Sequence, residues 1–348
     1  MMTRHTSTVR CPIRCALAFA AVFLGLASCS TPQPGTPTTT RPAIAPVVTS
    51  KQIPTLHRQW LNLAYANHSD AEKLDLYRPA HRPAHPGLPG LVIYVHGGAW
   101  LAGHGDKANW VSQTFVNFLL SAGYAAASAN YRLSDEAHFP AQIQDVKTAV
   151  RWLRAHARQY GYNPDKIAAF GDSAGGQLVA LLGTSQGVPA LEGGSLGYPR
   201  VSSGIKAAIV LYPDINLLAE QTWLSQNPAC TRKYLNPDLP SSAASKYLGA
   251  PVQTVPARAR AADPITYLAP GRPLPKFLIA HGTHDCTVPY QGSVEFYRAL
   301  VKTAGPSAAE LILEQGASHF NPPTEVNFDF TELEEPGIKL LRETMGPG

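Results

Sequence analysis

The chain has 348 residues, of which 45% are hydrophobic and 15% are charged. This length suits one large α/β domain with a short appendage, or two modest domains, and the composition excludes an intrinsically disordered chain. The formal net charge is +5, but Arg4, Arg10 and Arg14 precede Cys29 with no acidic residue among them, so cleavage there leaves about +2. Such a small charge argues against a nucleic-acid-binding protein.

The first 28 residues have the features of a secretion signal. A basic stretch precedes a twelve-residue apolar run, 16–27, which is too short to span a bilayer. Leu26-Ala27-Ser28-Cys29 resembles a bacterial lipobox, in which the cysteine becomes the lipid-bearing first residue of the mature protein. We therefore expect an exported lipoprotein anchored to the membrane through Cys29, on the periplasmic or outer-membrane side in a Gram-negative host. The alternative is an ordinary cleaved signal.

Residues 29–50 form the next segment. Between Ser30 and Ser50 there are five prolines, six threonines and a single charge, without a regular apolar period. This composition predicts an extended tether that leads to a catalytic domain at residues 51–348. The cysteines of that domain are Cys230 and Cys286, and this even number in an oxidising compartment indicates either a disulfide or two buried free thiols.

Short apolar runs alternate with amphipathic stretches along most of the domain. This alternation predicts an α/β fold with a mostly parallel central sheet and helices on both faces. We expect strands at 91–95, 124–129, 166–170, 207–212, 277–280 and 311–313, and helices through 111–122, 140–153, 177–182 and 294–301. Residues 214–263 break the rhythm with several prolines and a Ser/Ala cluster. They predict either a small cap over the carboxyl edge of the sheet or a surface excursion.

The sequence Gly-Asp-Ser-Ala-Gly-Gly at 171–176 fits the G-x-S-x-G nucleophile elbow, with Ser173 as the nucleophile. Its context is the required one, since a strand pattern precedes it and a helix pattern follows. The glycines leave room for the sharp turn that holds the serine in a strained backbone conformation. The alternative is an ordinary glycine-rich turn between a strand and a helix.

A serine hydroxyl needs a base that accepts its proton, and the base needs an acid that fixes its tautomer. Asp285 and His319 each follow a predicted strand, and the chain order Ser, Asp, His is that of α/β-hydrolases. Asp214, after the preceding strand, is the alternative acid. The rival bases are His96, His281 and His284, of which we expect the first to order its own loop and the other two to support the acid loop. Local turn hydrogen bonds are expected for Asp172.

The sequence His-Gly-Gly-Ala-Trp at 96–100 follows a predicted strand. Residues with small side chains let backbone N–H groups approach a nascent oxyanion, so Gly98, Ala99 and Ala174 are the candidate donors. Trp100 and Tyr131 are candidates for the wall of the substrate pocket. Packing in the core is the equal alternative for Trp100.

Several segments together resemble the carboxylesterases related to hormone-sensitive lipase: 96–100, 130–133, 139–147, 171–176 and 281–289. The closest resemblance is to the bacterial feruloyl- and acetyl-esterase-like branch that carries His-Gly-Gly-x-Trp, and it extends from about Leu74 to the last helix. The resemblance implies an α/β-hydrolase fold and the Ser173, Asp285 and His319 triad, with no metal or organic cofactor. Ala99 departs from the lipase-like relatives, which have a third glycine there.

The function expected from these features is hydrolysis of small acyl esters through an acyl-enzyme, with a small-molecule ester as substrate. Two alternatives stay open at this point. One is an amide hydrolase of the arylformamidase type, because those relatives share His-Gly-Gly-x-Trp. The other is a catalytically silent binding protein at the cell surface, because one fold can host many functions.

Overall fold

An eight-stranded sheet forms the centre of the protein. The computed structural model describes residues 56–79, 87–103, 110–230, 236–319 and 328–348. The signal peptide, Cys29 and the tether predicted for residues 1–50 lie outside the described residues. The strands are β1 (Leu56–Ala64), β2 (Lys73–Pro79), β3 (Leu91–Val95), β4 (Ala125–Ala129), β5 (Ile167–Asp172), β6 (Ala207–Leu211), β7 (Lys276–Gly282) and β8 (Ala309–Glu314).

The strand order across the sheet is β1-β2-β4-β3-β5-β6-β7-β8. Strand β2 pairs antiparallel with both of its neighbours, β1 and β4, and every pair from β4 to β8 is parallel. Every residue of β3, β4, β5 and β6 is buried. Strands of this kind must be apolar on both faces because helices cover both sides of a parallel sheet. The predicted mostly parallel sheet is therefore confirmed.

Helices pack on both faces of the sheet. They are α1 (Trp110–Ser121), α2 (Ala141–Tyr160), α3 (Ala174–Thr184), α4 (Pro189–Glu192), α5 (Glu220–Gln226), α6 (Ala243–Leu248), α7 (Pro256–Ala262), α8 (Gln291–Ala304) and α9 (Glu334–Met345). Apolar residues of α2, α3 and α8 share one core with one face of the sheet, and those of α1 and α9 share a second core with the other. No helix in the described ranges is long and apolar enough to cross a bilayer.

The predicted insertion, 214–263, contains the three short helices α5, α6 and α7. Tyr247 of α6 stacks on Trp100, with ring centroids 4.2 Å apart. The Gln177 amide of α3 donates a 2.6 Å hydrogen bond to the carbonyl of Ala262. The insertion therefore packs against the segment after β3 and against the helix that follows β5, and its role as a cap stays a prediction.

Candidate active site

Ser173 lies at the sharp turn between β5 and α3. Its φ is 53°, a left-handed conformation that an L-residue with a side chain rarely adopts. A Cβ on Gly175 would overlap the carbonyls of Val95 and His96, so the turn approaches the end of β3 too closely for any larger residue. The Ser173 N–H donates a 2.9 Å hydrogen bond to Leu211 O at the end of β6. The sequence predicted this strained turn, and its geometry is that of a nucleophile elbow.

Asp285 and His319 form a direct pair beyond the ends of β7 and β8. The imidazole Nδ1–H donates to Asp285 Oδ2 over 2.6 Å. The other carboxylate oxygen, Oδ1, accepts 2.8 Å hydrogen bonds from the backbone N–H groups of Thr287 and Val288. Asp285 is fully buried, whereas the His319 side chain is 12% exposed. The carboxylate is therefore fixed by its own loop, and it fixes the imidazole in turn.

The two groups favour each other's charged forms. Burial alone raises the pKa of the Asp285 carboxyl, but the charge of His319 and the hydrogen bonds from His281 and His319 outweigh it and hold this pKa well below its usual range. Burial lowers the pKa of the His319 imidazole, but the charge and hydrogen bond of Asp285, with Asp172 and Asp214, raise it above its ordinary value of 6.5. An imidazolium at residue 319 is therefore stabilised, as a general base requires once it has taken a proton.

Ser173 and His319 are both close to the end of β6. Tyr212 directly follows Leu211, which accepts the Ser173 N–H, and the Tyr212 ring centroid lies 4.5 Å from that of His319. The Ser173 hydroxyl and the His319 imidazole are not hydrogen-bonded to each other in this structure. Catalytic hydrogen bonds are often longer without substrate than in the reacting complex, so this geometry is compatible with a serine–histidine pair.

The rival histidines have other positions. His281 is buried, and its Nε2 lies 3.2 Å from Asp285 Oδ2 and 3.0 Å from Val288 O, so it donates to the acid loop. The Ser293 hydroxyl lies 2.8 Å from its Nδ1. The side chain of His284 is exposed. His96 stacks on Tyr131, with ring centroids 4.3 Å apart. His281 thus supports the acid loop, as the sequence predicted.

Asp214, the alternative acid, is buried but makes no hydrogen bond to His319. Burial raises its pKa to about 7, although the nearby His319 charge opposes this. Burial also raises the pKa of Glu220 well above its usual value, with the Asp214 charge adding to the effect. A carboxyl group whose pKa is raised by burial holds its negative charge less readily and is a weaker partner for an imidazolium. The geometry therefore favours Asp285 as the acid.

The sequence predicted local turn hydrogen bonds for Asp172, but the bonds that its carboxylate makes within the described part of the chain run to another segment. Its Oδ1 accepts instead from the Tyr94 hydroxyl at 2.7 Å and from the Gly97 N–H at 3.1 Å. Both partners belong to β3 and the loop after it, more than seventy residues away in the chain. The β5–α3 turn passes so close to the end of β3 that the Asp172 carboxylate reaches these two partners.

The loop after β3 carries two of the three predicted oxyanion donors, Gly98 and Ala99, and the third, Ala174, is the first residue of α3. Gly98, Ala99 and Trp100 all have positive φ values, of 108°, 58° and 58°. Within the described part of the chain, the N–H groups of Gly98 and Ala99 donate no hydrogen bond. Backbone donors held in a fixed loop without an internal acceptor are suited to a developing oxyanion.

Replacing Gly98 by alanine is expected to lower kcat by about 10²- to 10³-fold, the cost of losing an oxyanion donor. At φ 108° a Cβ would overlap the carbonyl of Ala102, so the loop has to move. Gly194→Ala is the control, because a Cβ there would lie 3.8 Å from Pro199 Cβ, which is an ordinary van der Waals contact. Initial rates on p-nitrophenyl acetate measure the effect, and equal rates for the two variants would contradict it.

Trp100 and Tyr131 are both buried among the described residues, which favours the packing alternative, and their role in a substrate pocket stays a prediction. Each is 1% exposed. Trp100 stacks on Tyr247, and the Tyr131 hydroxyl donates a 2.9 Å hydrogen bond to His96 O. Large aromatic rings are buried wherever neighbours can cover them, and here the insertion covers Trp100. Both rings stabilise the loop by packing. The sequence did not indicate that Tyr94, Tyr212 and Tyr247 contact the residues of the candidate site. Only Tyr212 could have been suggested, because it directly follows a strand.

Cys230 and Cys286 are joined by a disulfide across 56 residues of sequence, with Cα atoms 5.2 Å apart. Cys286 directly follows Asp285, so the bond attaches the insertion to the acid loop. In the described residues, no group of three or more histidine, cysteine or acidic side chains is arranged to hold a metal ion.

Reduction of this disulfide is expected to lower the free energy of unfolding by about 4 kcal/mol, because an open loop of this length gains chain entropy in the unfolded state. Thermal unfolding with and without tris(2-carboxyethyl)phosphine measures the change. The double variant Cys230→Ser, Cys286→Ser should unfold at the same temperature under both conditions. A wild-type transition that does not respond to the reductant would contradict the prediction.

The chain is similar to curated esterases. It is 27% identical to the esterase LipC of Mycobacterium tuberculosis over 265 residues, which cover 76% of this chain and 60% of LipC. It is 42% identical to an arylesterase of Saccharolobus solfataricus over 91 residues, which cover 26% of this chain and 29% of that protein. The chain spans about 50 to 60% of the length of the first three curated relatives that it matches.

Solved structures show the same architecture. A truncated carbohydrate esterase from gut microbiota superposes with a TM-score of 0.70 at 27% identity, covering 84% of this chain and 97% of that one. Esterase Est2 of Thermogutta terrifontis, with propionate bound, gives a TM-score of 0.61 at 26% identity, covering 85% and 97%. The predicted α/β-hydrolase fold is therefore confirmed. Residues 74–300, well over half of the chain, match the BD-FAE family model, and the protein belongs to the BD-FAE family.

Proposed function

We propose that this protein is a serine carboxylic-ester hydrolase that acts on small acyl esters. The observation that carries the proposal is the 2.6 Å hydrogen bond between His319 and the buried Asp285, at the sheet edge where the strained Ser173 lies. In the proposed mechanism, Ser173 Oγ attacks the ester carbonyl while His319 takes its proton. The N–H groups of Gly98, Ala99 and Ala174 stabilise the oxyanion.

The second half of the reaction returns the enzyme to its starting state. The tetrahedral intermediate expels the alcohol, which takes the proton from His319 and leaves an acyl group on Ser173. Water then attacks the acyl-enzyme, again giving a proton to His319, and the carboxylic acid leaves as the proton returns to Ser173. Asp285 keeps the imidazole oriented and stabilises its charged form throughout.

Small acyl groups are proposed because the α-helices in the described part of the insertion have only six or seven residues, and none of them forms a long apolar lid. Est2 of Thermogutta terrifontis, a structural neighbour, has been solved with propionate and with butyrate bound. The same neighbour is phosphorylated by paraoxon, a reagent class that labels serine nucleophiles.

Labelling with a fluorophosphonate probe tests the proposal. The wild-type protein should be labelled and the Ser173→Ala variant should not, and equal labelling of the two would remove Ser173 from the mechanism. Rates on p-nitrophenyl acetate and butyrate should far exceed the rate on N-formylkynurenine. An amide substrate is the alternative, because the arylacetamide deacetylase of Bos taurus is 32% identical over 130 residues. A preference for N-formylkynurenine would replace the proposed ester hydrolysis with an arylformamidase-type function.

Activity is expected to rise with pH through the pKa of His319, because only the neutral imidazole can accept a proton. Since Asp285 raises that pKa, the inflection should lie above the ordinary histidine value of 6.5. The measurement is kcat/KM for p-nitrophenyl acetate between about pH 5 and 8. A flat profile over this range would contradict the role of His319 as the base.

We also propose that Cys29 carries a lipid and anchors the exported protein to a membrane. The support is the sequence Leu26-Ala27-Ser28-Cys29 after a short apolar run. Metabolic labelling of the full chain with radioactive palmitate in a bacterial host tests this. Label should appear on the wild type and on Cys15→Ser but not on Cys29→Ser, and equal labelling of all three would contradict it.

A further inference from the structure

A cavity of about 590 Å³ lies between α5 and the first two turns of α8. Its walls include Trp223, Tyr290, Gln291, Val294, Glu295 and Arg298. The size is in the range of small-ligand sites, which is about 300–1,000 Å³. None of these residues has a part in the proposed ester hydrolysis, so the cavity needs a separate explanation.

Two aromatic side chains of the cavity have no partner within the described part of the chain. Trp223 and Tyr290 are both half-buried, and neither ring contacts another aromatic ring there. Their polar groups, the indole N–H and the phenol O–H, make no hydrogen bond to any described residue. Rings of this type with an apolar face and an available donor are enriched where proteins bind ligands. The lining thus includes two aromatic side chains, each with a polar donor group.

The polar groups of the cavity point to a neutral ligand. Gln291 Oε1 is buried and has no hydrogen-bond partner among the described residues, an arrangement that costs free energy unless a ligand or water donates to it. Glu295 already accepts a 2.9 Å hydrogen bond from the Asn216 amide. Among the described residues of the lining, Glu295 and the exposed Arg298 are the only charged ones, and their charges cancel. These described residues therefore offer no excess of positive charge to a phosphate or a polyanion.

The cavity adjoins the acid loop without including it. Tyr290 and Gln291 follow that loop by a few residues, and Ser293 in the same helical turn contacts His281, which holds Asp285. Leu313 of β8, which is paired with His281 in the sheet, completes the lining. A ligand here would lie beside the proposed catalytic residues and outside their hydrogen-bond network.

We propose that this cavity is an accessory site for a neutral sugar unit of an oligosaccharide. The C–H face of a pyranose ring stacks on an aromatic ring, and its hydroxyl groups can both donate and accept hydrogen bonds. Trp223 supplies the flat surface, Tyr290 and Arg298 supply donors, and Gln291 Oε1 supplies the buried acceptor. The site would hold a glycan whose ester group reaches Ser173. This contribution to catalysis rests on the proposed esterase function.

Isothermal titration calorimetry with unesterified xylohexaose and cellohexaose tests the binding site without using catalysis. The wild type should bind at least one of the two, and Trp223→Ala should weaken binding by about tenfold or more, as for a central aromatic contact. Trp223→Phe, which keeps a flat ring, should restore most of the affinity. Arg298→Ala should weaken binding, and Lys302→Ala is the matched control, an exposed basic residue one turn further along α8 that lies outside the cavity.

Three results would overturn the sugar site: no binding of either oligosaccharide to the wild type, unchanged binding by Trp223→Ala when circular dichroism shows a folded protein, or binding of methyl ferulate alone. Kinetics give a second readout. Trp223→Ala should raise KM for acetylated xylohexaose and leave kcat/KM for p-nitrophenyl acetate unchanged. If the wild type hydrolyses neither ester, the proposed esterase function fails, and the calorimetry still decides the sugar site.

Discussion

Replacing Ser173 by alanine is expected to lower kcat for p-nitrophenyl acetate by about 10⁶-fold, the scale found when a catalytic serine is removed from a serine hydrolase. The reason is that no other hydroxyl at the strained turn can form the acyl-enzyme. KM should change little, because the oxyanion loop and the insertion remain. Steady-state kinetics with purified protein measure the effect.

The matched control is Ser202→Ala. Ser202 is an exposed serine on the segment that precedes β6. It is therefore at the amino ends of the parallel strands, whereas Ser173 follows the carboxyl end of β5. Its variant should keep wild-type activity, and both variants should give the wild-type circular dichroism spectrum. Comparable activity of Ser173→Ala and Ser202→Ala would remove the nucleophile from the proposal.

Replacing Asp285 by asparagine is expected to lower kcat by about 10⁴-fold. The asparagine carbonyl can still accept the N–H groups of Thr287 and Val288, so the acid loop should keep its conformation. The amide would then present a donor to His319, which would have to turn its acceptor nitrogen towards residue 285. The nitrogen facing Ser173 would carry a proton and could not act as a base.

Asp214→Asn is the discriminating comparison for this prediction. Asp214 is another carboxyl group near His319, but it has no hydrogen bond to the imidazole, so its variant should lose less than about tenfold in kcat. Parallel measurement of the two variants on p-nitrophenyl acetate decides which carboxyl group orients the base. A larger loss in Asp214→Asn than in Asp285→Asn would transfer the role to Asp214.

The parallel part of the sheet could be predicted because burial on both faces leaves a strong signal. The predicted strand at 91–95 coincides with β3, and the other five predicted strands match β4 to β8 within a few residues. The antiparallel strands β1 and β2 were not predicted. Strand β1 is at the edge of the sheet, and its sequence, LHRQWLNLA, carries polar residues without strict alternation. Strand β1 is ordered by its pairing with β2, and its own sequence has no regular apolar period from which a strand could be predicted.

The side chains of the proposed triad could be predicted because they follow strands whose carboxyl ends meet at one edge. Their supporting contacts could not, because these join segments far apart in the chain. Tyr94 reaches Asp172 across 78 residues, and Tyr131 reaches His96 across 35. The alternatives for Trp100 stayed open for the same reason, since its stacking partner, Tyr247, belongs to an insertion whose sequence has no regular apolar period. Contacts between distant segments determine whether such an aromatic ring lines a pocket or packs in the core.

The hydrogen bonds of Asp172 connect the turn of the nucleophile with the loop of the oxyanion donors. The proposed nucleophile and the proposed oxyanion donors are therefore joined through one carboxylate, and a sequence change in either turn is expected to displace both. Variants made to alter acyl preference should keep Asp172, Tyr94 and Gly97 unchanged for this reason.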